Sequence, residues 1–248
     1  MRRRTSLLPL ALVGQLIAYP LRAQSTDRTS VEQGATWYAL VVDQAISERA
    51  ALWFDGQWRR MGLGAEPQQV LLRSGLLVTI APGARVGGGY AWVATAPYGE
   101  APGATPVREH RAWQQLTMSQ RVGRLGVTHR YRGEQRWLAP VLPDGTGPWA
   151  YQQRARYLVR AEGNLPVLRR AGSAVLGFAW NELLLPMGHG DATLRVTQNR
   201  LGAGIGIPLD ARQRLEVGYM NQWNALAARG VNEFNHTLTV SLVRSTTR

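Results

Sequence analysis

Cysteine is absent from this 248-residue chain, which removes a disulfide framework, a thiol nucleophile and a lipid-modified N-terminal cysteine from consideration. Lysine is absent too, so all 29 basic residues are arginine, and against 16 acids they leave a formal charge of +13. A surplus of this size, with a pI near 11.3, would ordinarily suggest nucleic acid or another anionic surface as partner. Long apolar runs are also missing: past the first two dozen residues there is no window of about 20 apolar residues and no sustained 3.6-residue apolar period. Neither a membrane-spanning helix nor a helical bundle fits that pattern. The length suits one large β domain or two small ones.

The segment 1-MRRRTSLLPLALVGQLIAYPLRAQ-24 opens on Arg2, Arg3 and Arg4, continues with an apolar run from Leu7 to about Ala18, and offers Ala23 as a cleavage point. This pattern predicts an exported protein with a signal peptide over residues 1–23, which argues against a cytosolic nucleic-acid binder; no nucleic acid is expected as partner. Removing it takes away four arginines and no acid, leaving 25 against 16, or +9. Without cysteine, stability of the exported chain must come from sheet closure and packing.

What is present is alternation. Eleven segments with period-2 patterning, separated by Gly, Pro, Asp and Asn, predict strands near 36–46, 51–61, 69–80, 85–95, 108–121, 125–138, 151–162, 174–184, 194–207, 214–223 and 234–244. Connections after odd-numbered strands read as short, for example Pro82-Gly83, and those after even-numbered strands as long, above all 96–106 and 139–150. Only 163-GNLPVLRRAG-172 is longer than this scheme wants. Short turns at one end and long loops at the other describe an up-and-down outer-membrane barrel. Such barrels normally have an even number of strands, so the expectation is about twelve, or failing that ten, over residues 36–248. The extra strand would come from the mature N-terminal segment 24–35, from 163–172, or from a merged pair.

In 124-RLGVTHRYRGEQRWL-138, Arg130, Arg132, Glu134 and Arg136 share one face while Val127, Tyr131 and Trp137 share the other. The same division puts Val70, Leu72, Leu76, Val78 and Ile80 opposite Arg73, and Tyr151, Tyr157 and Val159 opposite Arg154, Arg156 and Arg160. For an exported chain with strands this long, the apolar face is expected toward lipid and the charged face toward the lumen. The predicted lumen set is Arg73, Glu109, Arg111, Arg130, Arg132, Glu134, Arg136, Arg154, Arg156, Arg160, Glu162 and Arg200, the arginines being paired by acids such as Glu134, Glu109 and Glu162. Trp37, Tyr38, Trp92, Trp113, Trp137, Tyr151 and Trp223 lie near predicted strand ends, as girdle aromatics do.

The ordered segments 73-RSGLLVTIAPGARVGGGYAWV-93, 108-REHRAWQQLTM-118, 129-HRYRGEQRW-137, 153-QRARYLVR-160, 181-NELLL-185, 197-TQNRLGAGIGI-207, 215-LEVGYMNQW-223 and 235-NHTLTVSL-242 resemble the bacterial family called domain of unknown function 2490, over roughly residues 36–244. The resemblance implies a bacterial outer-membrane barrel with no established activity and no catalytic residues to carry over. Barrels of this kind often finish on an aromatic residue, a signal to the barrel-assembly machinery, whereas this chain finishes 242-LVRSTTR-248.

Enzyme chemistry finds little support. An outer-membrane lipid hydrolase with serine and histidine two residues apart on one strand is not encoded, because none of His110, His129, His189 and His236 has a serine at that spacing. His189-Gly190-Asp191 offers only two candidate metal ligands. The glycines of 87-GGGY-90 and 202-GAGIG-206 lie within strand patterns with no following helix, so they read as permitting strong curvature or as leaving room for bulky lumen side chains, rather than as nucleotide loops. No cofactor and no metal is expected. The function reading is therefore a barrel in outer-membrane lipid whose arginine ring would favour small anions, with three alternatives: a closed structural barrel, a lipid-modifying enzyme, and a soluble periplasmic protein binding acidic polymer.

Overall fold

The computed structural model describes residues 29–100, 102–170, 173–188, 195–226 and 230–246. The segment read as a signal peptide and the 189–191 triplet lie outside the described residues. Among the described residues there is no α-helix, only one 3₁₀ turn at Gly62–Gly64. The strands are β1 (Thr29–Ala45), β2 (Ala50–Met61), β3 (Glu66–Ala81), β4 (Ala84–Thr95), β5 (Val107–Val122), β6 (Leu125–Leu142), the two-residue β7 (Gly145–Thr146), β8 (Ala150–Arg170), β9 (Ser173–Met187), β10 (Gln198–Pro208), β11 (Gln213–Leu226) and β12 (Val231–Ser245). β7 is an annex to the end of β6. The other eleven strands form one closed barrel, each hydrogen-bonded to two neighbours.

Eleven is an odd number, and this corrects the even count expected from the sequence. Hairpins alone force adjacent strands to alternate in direction, so a ring of eleven must contain one parallel pair. That pair is β1 with β12, in register from Thr29↔Val231 to Asp43↔Ser245. The two segments proposed as sources of a twelfth strand instead lengthen strands already counted. Residues 29–35 extend β1 and pair with 231–237, and 163–170 extend β8. The 25-STDRTSVEQG-34 stretch has almost no alternating pattern, and its described part is held by the parallel seam. The two ends of the barrel also differ less than expected, since the connections 62–65 and 227–230 have four residues each, whereas 96–106 and 188–197 are long.

The register fixes the barrel's dimensions. A path of paired residues starting at Ala45 runs through Ala51, Leu77, Gly87, Gln115, Arg132, Arg156, Leu184, Gln198, Asn224 and Glu233 and re-enters β1 at Val31, fourteen residues from where it began. With ~3.3 Å per residue and ~4.8 Å between strands, this slip gives a strand tilt of about 41° and a backbone radius of about 11 Å. Paired residues point to the same side, so the path also sorts every strand into an inner and an outer face. At this tilt Tyr38, Tyr90, Tyr131, Tyr157 and Tyr219 of the outer face come to one level within about 5 Å. From that level toward the short turns the outer face is aliphatic, with Leu40, Leu52, Leu76 and Ile205 exposed.

The inner face carries the bulk and the charge. Trp53, Leu77, Ala91 and Trp113 form one buried cluster, and Ala35, Trp37, Met61 and Met220 another, with Tyr98 and Trp180 packed against it. Trp37 and Trp113 are therefore lumen residues, which corrects their assignment to a girdle; Tyr38, Trp92, Trp137, Tyr151 and Trp223 do lie on the outer face. The strand glycines make room for the inner rings, because a Cβ on Gly89 would sit 2.7 Å from the Trp113 ring and one on Gly202 2.7 Å from Trp180. Conformational freedom is required at Gly83, whose φ of 73° closes the Pro82-Gly83 turn.

Candidate functional site

Arg59, Arg73, Arg85, Arg111, Arg130, Arg132, Arg136, Arg154, Arg156, Arg160, Arg200 and Arg214 point inward along the barrel wall. Asp43, Asp55, Glu109, Glu134, Glu162, Glu182, Glu216 and Glu233 join them there. A barrel about 11 Å in radius leaves little free space between side chains of this length, so the pattern of pairing decides what the interior can do.

At mid-height Glu182 is the hub. It accepts hydrogen bonds from Arg156 at 2.7 Å, Arg130 at 2.8 Å and Arg200 at 3.2 Å. Arg156 also donates to Glu134 at 2.8 Å, and Arg154 donates its Nε to the same carboxylate at 2.9 Å. Arg73 pairs with Asp55 at 2.8 Å. Arg59 and Arg132 have no ion pair with an acid among the described residues and are held by aromatic faces and amides. Arg59 stacks 3.7 Å from the Trp37 ring and donates to Gln57 and Gln69. Arg132 lies between Trp53 and Trp113 and donates to Gln115. The delocalised, weakly hydrated guanidinium suits both settings.

All twelve residues singled out from the sequence occupy this inner face. Arg73, Glu109, Arg111, Arg132, Glu134, Arg156 and Arg200 are buried, and Arg130, Arg136, Arg154, Arg160 and Glu162 are partly exposed toward the two mouths. Arg136 meets Glu109, an acid of a neighbouring strand, as expected. The rest of the pairing along β6 differs: Arg130 meets Glu182 rather than Glu134, and Arg132 donates to Gln115 and meets no acid among the described residues. Asp55, Glu182, Arg59, Gln222, Asn224 and Glu233 carry no such signal in the sequence, and Trp37 reads there as a girdle residue. Glu182 gave no signal because its inward neighbours on β9 are Phe178, Trp180 and Leu184, so both faces of that strand look apolar. Glu233 fell just outside a predicted strand that was thought to begin at Phe234.

The arrangement divides the lumen. One cavity of about 490 Å³ opens toward the short turns, with Asp43, Arg85, Arg160, Glu162, Arg214 and Glu216 in its walls. The other, of about 360 Å³, opens toward the loops, with Gln69, Glu109, Arg111, Arg136, Arg154 and Asn224 in its walls. The linings share only Trp37, Arg59, Arg156 and Arg200, which together with Glu182 form a septum. Over the loop-side mouth, the 96–106 connection folds inward. Tyr98 packs on the Trp37 cluster, and the backbone N–H of Glu100 donates to Gln33 Oε1 at 2.9 Å.

His110, His129 and His236 all sit on the outer face, hydrogen-bonded to the tyrosine hydroxyls of Tyr90, Tyr157 and Tyr219. Among the described residues no group of three or more His, Asp or Glu side chains has the geometry to hold a metal.

These features define a closed, single-chain antiparallel β-barrel with one parallel seam and an ion-paired interior. The family model described as Protein of unknown function (DUF2490) matches residues 34–234, and the chain belongs to that family. No curated protein and no solved structure matches it.

Proposed function

We propose that this protein is a bacterial outer-membrane barrel that is closed to ion flow, its lumen blocked at mid-height by the septum of Trp37, Arg59, Arg156, Arg200 and Glu182. The observation that carries the reading is the chain of contacts across mid-height, in which Arg59 and Arg200 lie 3.7 and 5.1 Å over the Trp37 ring and Glu182 holds Arg200 and Arg156. Membrane insertion is supported by the outer face, where Leu40, Leu52, Trp58, Leu72, Tyr131, Leu201 and Tyr219 are each 42% exposed or more. A soluble monomer rarely exposes a contiguous apolar band of that kind, while a lipid-facing barrel requires one. The level ring of tyrosines would mark the interface nearer the loops.

Cell fractionation with heat-modifiable migration tests the location, and recovery in the soluble periplasm would overturn it. Planar-bilayer recording of the refolded barrel tests closure, for which silence is expected. A second reading, a narrow anion-selective pore, is favoured by the surplus of inward arginines over inward acids among the described residues; anion-selective steps from the wild-type chain would establish it instead.

A further inference from the structure

The loop-side cavity has a chemistry that neither closure nor membrane insertion calls for. Arg111, Arg136 and Arg154 enter its wall from β5, β6 and β8; among the described residues Glu109 is the acid in the wall, and Arg154 also donates to Glu134 beside it. Glu109 is shared between Arg111 and Arg136, with an Nη2 of each within 3.0 Å of Oε2. Across the lumen on β11, Gln222 is 4% exposed, and its Oε1 has no hydrogen-bond partner.

Proton bookkeeping fixes that amide's orientation. Glu233 can only accept when ionised, and it accepts from the Nδ2 groups of Asn224, at 3.0 Å, and Asn235. Asn224 must then present Oδ1 to Gln222, which donates its Nε2 at 2.8 Å. The relay therefore leaves Gln222 Oε1 as a buried acceptor that the protein cannot satisfy by flipping the amide, a costly arrangement unless something donates to it.

From these groups we infer that the loop-side cavity binds a small hydroxylated anion, a sugar acid or sugar phosphate. Its charged group lies on Arg111, Arg136 and Arg154, and one of its hydroxyls donates to Gln222 Oε1. The two sets of groups face each other from strands three to five apart round the wall, and a volume of about 360 Å³ accommodates a single sugar ring with its substituents. Planar guanidiniums recognise carboxylate and phosphate alike, so the anionic group is left to the experiment. This site goes beyond the proposed function and does not depend on membrane location, because the cavity lies inside the barrel in either case.

The test is isothermal titration of the refolded full mature chain with glucuronate, glucose 6-phosphate, glucose, inorganic phosphate and cyclohexanecarboxylate. At least one of the two sugar anions is expected to bind ten-fold or more tightly than the other three, and to weaken as salt is raised. Which of the two binds tells carboxylate from phosphate. Gln222→Leu should weaken the sugar anion by ten-fold or more and leave inorganic phosphate unchanged, whereas Arg136→Gln should weaken both. Absence of saturable binding by either sugar anion would overturn the site. Glucose binding as tightly would remove the role of the arginines, and cyclohexanecarboxylate binding as tightly would remove the role of Gln222. Both of those comparisons use the wild-type chain, so the inference stays testable if a variant fails to fold.

Discussion

The two ends of the lumen are built from the same residue types but balanced differently. Toward the short turns each arginine meets an acid on its own or another strand: Arg85 meets Asp43 at 2.6 Å, Arg160 meets Glu162 at 2.9 Å and Glu216 at 2.8 Å, and Arg214 meets Glu216 at 2.7 Å. Toward the loops carboxylates are shared instead: Arg111 and Arg136 meet on Glu109, Arg154 and Arg156 meet on Glu134, and glutamines and asparagines fill the remainder. Balanced pairs mainly hold strands together, whereas a surplus of cations with fixed amide groups is arranged for a ligand. The septum between the ends serves both functions, since Glu182 lies against arginines from three other strands.

The largest expected effect comes from breaking the septum. Glu182→Gln leaves Arg130, Arg156 and Arg200 without their shared carboxylate, and removing one partner from a buried ion pair costs about 3–5 kcal/mol. The urea midpoint of the refolded barrel should fall accordingly; an unchanged midpoint would mean that Glu182 is not the hub. Next comes the distinction between faces on which the comparison of ends depends. Val240→Asp puts a charge on the outer face; in the proposed membrane setting that face meets lipid, and a basic residue at a bilayer midplane costs about 2–4 kcal/mol, an acid somewhat less. Thr239→Asp adds its charge to an arginine-rich interior. Folded yield in lipid should drop for the first and not for the second, and equal yields would contradict the faces.

The comparison itself is sharpened by two variants. Arg85→Gln with Asp43→Asn removes both members of a pair at the balanced end and should cost no more than about 1 kcal/mol, as losing a partly exposed pair does. At the loop end, Glu109→Gln strips the carboxylate from Arg111 and Arg136 together and should cost more than the double variant. If the order were reversed, the two ends would not differ as described. The smallest effect belongs to the turn at Asp210, whose Oδ1 accepts the backbone N–H groups of Arg212 and Gln213 at 2.7 and 2.8 Å. The Arg212 N–H, chiefly, holds this carboxyl below its ordinary value. A depressed acid stabilises the fold above its unfolded pKa of about 3.9 and loses that contribution as pH falls through the lower folded value. Asp210→Ala should therefore lower the midpoint slightly at pH 7, and the gap from wild type should close in strong acid.

Much of the architecture was legible because a strand has a period of two. Alternation alone separated Arg130, Arg132, Glu134 and Arg136 from Tyr131 and Trp137, and it placed Leu238 and Val240 opposite Thr239. It failed where both faces of a strand are apolar, as at Glu182 on β9, and where a residue is large and aromatic on the inner face. Trp37 and Trp113 look like girdle residues until the glycines facing Trp113 and the guanidiniums stacked on Trp37 are seen.

The sequence by itself determined the class: an all-β chain, long strands with one apolar and one arginine-rich face, and turns at Pro82-Gly83 and Gly123. These are local properties, carried by side-chain alternation and backbone preference within a few residues. Only the tertiary structure decided that eleven strands close through a parallel β1–β12 seam, because closure is a constraint on the whole ring and leaves no mark on any one segment. Tertiary structure also decided which acid each arginine meets. Arg130 and Glu182 are 52 residues apart, and their 2.8 Å contact follows from the register of β6, β8 and β9, which no single strand encodes.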